Sequence, residues 1–145
     1  MLKVLVVDDS LIMRRNITKM VEALGHKVIG EAKDGNEAIV FYTRLKPDLV
    51  TMDITMPEMD GITAVKELKK LDKDVKIIMV TSHGQEEMVL NAVRSGASGY
   101  LLKPVNLIKL RDSLRKIFPD LVDETVIAEQ EIVLLENEPI KLQEI

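Results

Sequence analysis

Short apolar runs alternate along the chain with longer segments in which apolar residues recur at helical spacing. The short runs predict five buried strands, and the longer segments predict five amphipathic helices. Glycine, proline and Asx residues stand at the junctions, where such residues begin or end elements. The predicted strands are residues 3–7, 27–31, 48–52, 75–80 and 98–102, and the predicted helices are about 11–24, 36–45, 62–71, 85–94 and 106–117.

Regular alternation of strands and helices is typical of right-handed βαβ units around a parallel sheet. Five such strands predict a flavodoxin-like, doubly wound α/β fold with helices on both faces and the strand order 2-1-3-4-5. In this order the topological switch point, where the strand order reverses, lies beside strands one and three. We therefore expect a ligand site at the carboxyl ends of these two strands, where open α/β sheets bind their ligands.

Polar residues follow four of the predicted strands. Asp8 and Asp9 follow the first, Asp53 follows the third, Thr81 follows the fourth and Lys103 follows the fifth. Three carboxylates in one pocket repel one another and raise at least one pKa unless a cation compensates them. The chain has no cysteine and these motifs have no histidine, so oxygen ligands favour a hard ion, Mg²⁺ or Mn²⁺.

Composition divides the chain into two parts. Its 145 residues give room for one domain, and the net charge of -4 is distributed as +3 over residues 1–117 and -7 over residues 118–145. We expect an α/β domain over 1–117 and an acidic, partly apolar extension over 118–145 that acts as a packing or interaction segment. The chain has no cysteine for disulfides and no signal-peptide or membrane-span pattern, so we expect a cytoplasmic protein.

The extension allows two interpretations. Val126, Ile132 and Leu135 line one face of a helix capped by Asp120, whereas residues 125–127 and 132–135 are equally rich in strand formers. Its apolar content is too high for a purely solvating acidic tail. We expect it to pack on the domain, on a second copy of the chain or on a partner, with a linker remnant as the alternative.

Four motifs together resemble the receiver domain of bacterial two-component response regulators over residues 2 to about 117. The motifs are Val-Val-Asp-Asp-Ser at 6–10, Thr-Met-Asp-Ile-Thr-Met-Pro-Glu-Met-Asp-Gly at 51–61, Thr-Ser at 81–82 and Tyr-Leu-Leu-Lys-Pro at 100–104. Each stands at the end of the appropriate strand. Within that family the length is similar to that of stand-alone, CheY-like chemotaxis receivers.

The resemblance implies a role for each acid. Asp53 would accept a phosphoryl group, as carboxylates do in other phosphoenzymes. Asp9 and Asp53 would bind the metal directly, Asp8 would act through water, and Thr55 would contribute its backbone carbonyl. The peptide bond before Pro104 would be cis, an isomer that proline permits.

The resemblance also implies roles for residues around the acids. Lys103 and Thr81 would share the charge of the phosphoryl oxygens, which is the main task of a phosphoryl-transfer site. Thr81 and Tyr100 would form a switch that responds to phosphorylation. Thr55 and His83 would tune the lifetime of the phosphoryl group.

The expected phosphoryl donor is a phosphohistidine on a sensor histidine kinase, with acetyl phosphate as a small substitute. The expected output is a protein partner on the face made by the fourth helix, the fifth strand and the fifth helix, without direct nucleic-acid contact or membrane insertion. The protein would be no enzyme beyond phosphorylating its own aspartate and slowly losing the phosphoryl group. Alternatives are the receiver part of a DNA-binding regulator, a phosphorelay intermediate and a Mg²⁺-dependent phosphatase.

Overall fold

Five parallel strands form one sheet in the order β2-β1-β3-β4-β5, which confirms the predicted topology. This computed structural model describes residues 1–82 and 84–121, so His83 and residues 122–145 of the predicted extension lie outside the described residues. The strands are β1 (Lys3–Val7), β2 (Lys27–Ala32), β3 (Leu49–Met52), β4 (Ile77–Thr81) and β5 (Gly99–Leu102).

Each strand is followed by a helix, and the chain then continues into a short 3-10 helix at Pro119–Leu121. Among the described residues, no helix is both long enough and apolar enough to cross a membrane. The helices are α1 (Leu11–Ala23), α2 (Gly35–Leu45), α3 (Gly61–Leu71), α4 (Glu86–Ser95) and α5 (Leu107–Ile117).

Polar side chains cap the N-termini of four of the helices. Ser10 and Asp34 accept hydrogen bonds from the first turns of α1 and α2, and Asp60 and Asn106 do the same for α3 and α5. Each of these caps satisfies a backbone N–H that has no acceptor inside its own helix. The caps therefore fix where each helix starts, directly after the loops at the carboxyl edge of the sheet.

Two apolar layers cover the faces of the sheet. One layer packs α2, α3 and α4 through residues such as Ala38, Val65 and Ala92, and the other packs α1 and α5 through residues such as Val21 and Leu114. The central strands β1, β3 and β4 are buried on both faces, as expected of a parallel sheet between helices. The rigid sheet thus holds the loops at its carboxyl edge in place.

Candidate functional site

Strands β1 and β3 end side by side at the carboxyl edge of the sheet. Val7 pairs with Met52, so the next residues, Asp8 and Asp53, are neighbours. The backbone N–H of Asp53 donates to the carbonyl oxygen of Val7 at 3.0 Å, which extends the ladder to the start of the loop. Strand pairing therefore brings together two acids that are 45 residues apart in the chain.

The acidic group consists of Asp8, Asp9 and Asp53. One carboxylate oxygen from each residue lies within 4.8 Å of the other two. Asp8 is 1% exposed and Asp53 is 6% exposed, whereas Asp9 faces the solvent. Two buried carboxylates with a third beside them form a concentrated negative charge that needs a compensating cation.

Lys103, directly after β5, supplies part of that compensation. Its ammonium Nζ donates to Oδ2 of Asp8 at 2.8 Å and lies 3.6 Å from Oδ1 of Asp53. The lysine side chain is 16% exposed, so water screens these ion pairs only weakly. One ammonium against three carboxylates nevertheless leaves an excess of negative charge at the site.

Burial, and after it the nearby Asp8 carboxylate, raises the pKa of Asp53 from its ordinary value of 3.8 to about 6. The Lys103 ammonium and a hydrogen bond from the N–H of Ile54, at 2.9 Å, oppose this increase. The ionised form of this buried carboxylate is unfavourable without a nearby positive charge. Such a carboxylate is well suited to bind a cation or to form a covalent bond with phosphorus.

These acids fit a hard divalent cation. The group supplies only oxygen atoms, and one of its three residues is open to the solvent, so a cation could keep some of its water. Magnesium prefers such a site, with one or two carboxylates and several waters. The acidic group therefore matches Mg²⁺, as the sequence predicts, and Mn²⁺ has the same oxygen preference.

The remaining predicted site residues lie around this group. Thr81 is fully buried at the end of β4, and its carbonyl accepts the N–H of Lys103 at 2.8 Å. Thr55 is exposed in the loop after β3, two residues beyond Asp53. Tyr100 on β5 packs against the apolar layer under α2, α3 and α4, and burial raises the pKa of its hydroxyl. The Lys103–Pro104 peptide bond is cis.

Gly61 contributes to the site in a way that the sequence analysis does not identify. A Cβ atom at this position would collide with the carbonyl oxygen of Asp53. The N–H of Gly61 donates to the carbonyl oxygen of Ile54 at 2.7 Å, which ties the first turn of α3 to the loop carrying Asp53. The Asp60-Gly61 pair is a visible turn signal in the sequence, but only the fold reveals this close approach.

Residues 4–115 match the family described as the response regulator receiver domain. The chain belongs to this family. It is 44% identical to the chemotaxis protein CheY of Thermotoga maritima and 43% identical to CheY of Bacillus subtilis; each alignment covers 79% of this chain, and 96% and 95% of the respective relatives.

The solved structures agree with the sequence comparison. The CheX–CheY–BeF3–Mg²⁺ complex from Borrelia burgdorferi contains a chain that is 35% identical to this one, with a TM-score of 0.78. That similarity covers 80% of this chain and 88% of the other. The chain is thus a CheY-like receiver domain, and it works as a phosphorylation-activated signalling switch.

Proposed function

We propose that Asp53 is the residue that accepts the phosphoryl group, from a phosphohistidine of a sensor histidine kinase or from acetyl phosphate. The observation that carries this proposal is the group of Asp8, Asp9 and Asp53 within 4.8 Å, with the Lys103 ammonium 3.6 Å from Asp53. Asp53 is the member of the group that follows β3, the central strand of the sheet.

In the transfer, an Oδ atom of Asp53 attacks phosphorus and an O–P bond forms. The P–N bond to the donor histidine breaks, and its electron pair stays on the imidazole nitrogen. Lys103 and the Thr81 hydroxyl offset the charge on the equatorial phosphoryl oxygens, a task that requires positioned donors rather than further covalent chemistry. Water later hydrolyses the acyl phosphate slowly, so the protein acts catalytically only on itself.

Asp9 and Asp53 would bind Mg²⁺ directly, with Asp8 acting through water and Thr55 offering its backbone carbonyl. When bound, the ion supplies positive charge next to the phosphoryl oxygens. The exposure of Asp9 supports this division, since a hydrated cation needs solvent on one side. Both carboxylate oxygens of Asp8 already accept hydrogen bonds, from the Ser10 N–H and the Lys103 ammonium, which favours a contact through water.

Phosphorylation adds a charge of about -1.5 to -2 and new hydrogen-bond acceptors. We propose that Thr81 responds to this charge and that Tyr100 follows, which changes the face made by α4, β5 and α5. Val93 of α4 and Leu102 of β5 are 57% and 44% exposed, so this face offers apolar area to a protein partner. By similarity to the CheY proteins, the output belongs to chemotaxis.

Two further proposals concern residues at the margin of the site and beyond the domain. Thr55 and His83 each follow a site residue by two positions and would tune the rate at which the phosphoryl group hydrolyses. Residues 118–145 would form a separate interaction segment that contacts the domain, a partner or a second copy, because its charge of -7 is opposite in sign to the +3 of residues 1–117.

Intact mass spectrometry tests the proposal. With Mg²⁺ and acetyl phosphate, the protein should gain about 80 Da, the mass of one phosphoryl group. The gain should disappear with EDTA or in Asp53→Asn, and it should persist in Asp74→Asn, which removes an exposed aspartate after α3. An adduct that survives in Asp53→Asn, or repeated turnover of simple phosphoesters, would contradict the proposal.

A further inference from the structure

Arg14 joins three elements close to the acidic group. Its Nη1 donates to the carbonyl oxygen of Asp8 at 2.8 Å, and its Nε donates to Oε1 of Glu31 at 3.1 Å. The arginine side chain is only 16% exposed. One guanidinium group therefore connects α1 with the end of β1 and with the edge strand β2.

Asp8 is held at three of its oxygen atoms. Oδ1 accepts the N–H of Ser10 at 2.9 Å, Oδ2 accepts the Lys103 ammonium at 2.8 Å, and the backbone carbonyl accepts Arg14 at 2.8 Å. The first two contacts fix the carboxylate, which belongs to the site already described. The third contact has a different effect, because it fixes the backbone.

The carbonyl oxygen that Arg14 binds belongs to the peptide group between Asp8 and Asp9. Because a peptide group is planar, holding this oxygen also sets the direction in which the chain enters Asp9. Within the described residues, the Asp9 carboxylate accepts no hydrogen bond, so its position depends on its backbone. Arg14 thus fixes the backbone of Asp9 on its N-terminal side, and the Ser10 N–H that donates to Asp8 fixes it on the other side.

We propose that Arg14 is a positioning residue that orients Asp9 for binding a divalent cation, an inference that rests on the proposed function. Groups that hold metal ligands in place from outside change metal affinity by about 10- to 100-fold when they are removed. The fork of the guanidinium reaches Asp8 and Glu31 at once, whereas a lysine ammonium at this position would lack that fixed two-donor geometry.

The chain provides a matched control for the charge of Arg14. Arg15 is the next residue on α1 and carries the same charge, but it is exposed and makes no hydrogen bond or ion pair within the described residues. Loss of either arginine removes one positive charge from α1. Only loss of Arg14 removes the contact with the Asp8 carbonyl.

The test measures Mg²⁺ affinity by isothermal titration calorimetry, since the chain has no tryptophan for intrinsic fluorescence. We expect Arg14→Met to weaken Mg²⁺ binding about tenfold or more, and Arg15→Met to change it by less than about twofold. Arg14→Lys should weaken Mg²⁺ binding by at least about threefold, because lysine keeps the positive charge but cannot donate to Asp8 and Glu31 in the fixed geometry of a guanidinium. Circular dichroism establishes that each variant is folded.

Phosphorylation by acetyl phosphate gives a second readout. In Arg14→Met the Mg²⁺ concentration for half-maximal rate should rise in step with the dissociation constant, while the rate at saturating Mg²⁺ stays within about threefold. If Arg14 had a purely structural role, Arg14→Met would lower the unfolding temperature and leave the Mg²⁺ affinity unchanged.

The outcomes separate this inference from the proposed function. Wild-type affinity in folded Arg14→Met, or an equal loss in Arg15→Met, would overturn the positioning role while the proposed function stands. If Arg14→Met does not fold, wild-type affinity in Arg14→Lys would overturn it. Absence of any Mg²⁺ binding or phosphoryl adduct in the unaltered chain would overturn the proposed function and this inference together.

Discussion

Thr51 lies in the middle of β3 with its side chain fully buried. Within the described residues its hydroxyl has no hydrogen-bond partner. A buried polar group without a hydrogen-bond partner loses its hydration, and no new hydrogen bond compensates for that loss. The unpaired hydroxyl of Thr51 therefore lowers the free energy of unfolding of the domain.

Thr51→Val should raise the free energy of unfolding by about 1 kcal/mol, because it replaces the unpaired hydroxyl by a methyl group and keeps the β-branched shape. Urea unfolding monitored by circular dichroism measures the change. The matched substitution Thr63→Val removes a hydroxyl that donates to Asp60 at 2.9 Å, so it should lower the same quantity. A loss of stability in Thr51→Val would show that the hydroxyl is satisfied.

Asp53 should make the metal-free protein less stable as the pH rises. Its pKa is about 6 in the folded chain against an ordinary 3.8, so between these values the folded state keeps a proton that the unfolded state has lost. The free energy of unfolding should then fall by roughly 3 kcal/mol as the pH rises from about 3 to about 7, since a pKa difference of one corresponds to about 1.4 kcal/mol.

The measurement is urea unfolding in EDTA at a series of pH values. The Asp53 contribution should be absent from Asp53→Asn and retained in Asp74→Asn, which removes an exposed carboxylate. A pH dependence in Asp53→Asn that equals that of the unaltered chain would assign the effect to another group.

At the scale of elements, the start of α3 is fixed against the loop that carries Asp53. The helix begins at Gly61, where a Cβ atom would collide with the Asp53 carbonyl oxygen. Asp60 caps the helix by accepting the N–H of Thr63 at 2.9 Å. Cap and glycine together allow the helix to start within contact distance of the site.

Gly61→Ala should lower the free energy of unfolding by about 1 to 3 kcal/mol and slow phosphorylation, because the new methyl group must displace the Asp53 backbone. Gly25→Ala is the control. Gly25 has a φ of 88° and open space around its missing Cβ, so alanine there costs stability through strain at the opposite edge of the sheet. Equal phosphorylation rates in Gly61→Ala and Gly25→Ala would contradict the role of Gly61.

Element order and strand order follow from the sequence because buried parallel strands and amphipathic helices have distinct apolar periods. Boundaries are less exact: β4 is predicted at 75–80 and lies at Ile77–Thr81, since Thr81 still pairs with β5. Leu71 stands at helical spacing from the buried Leu68, but it is the last residue of α3 and is 57% exposed. The local sequence pattern does not show at which residue a strand stops pairing or a helix stops packing on the sheet.

The site was predictable where chemistry coincides with strand ends, as for Asp8, Asp9, Asp53 and Lys103. The contacts of Arg14 and Gly61 could not be predicted in this way. Each is made to a backbone carbonyl oxygen whose position depends on the fold. A charged residue on an amphipathic helix ordinarily faces solvent. Only tertiary packing turns Arg14 toward the Asp8 carbonyl.

At the scale of the molecule, the site joins segments that are distant in the chain. Lys103 and Asp8 are 95 residues apart and lie in direct contact, and Asp53 is close to both. Unfolding therefore separates all the groups at once. A cation that binds this group favours the folded state over the unfolded one and stabilises the whole domain by mass action.

Above the dissociation constant, each tenfold increase in Mg²⁺ should raise the free energy of unfolding by about 1.4 kcal/mol, which corresponds to roughly 3 to 6 °C in Tm. Thermal unfolding at matched ionic strength, with KCl in place of MgCl2, measures the specific part of this effect. Asp9→Asn should remove most of it, because Asp9 would bind the ion directly. Arg15→Met, which changes the charge by the same amount and in the opposite direction, should leave it intact. An equal gain in Tm from KCl, or an undiminished Mg²⁺ effect in Asp9→Asn, would mean that the ion only screens charge.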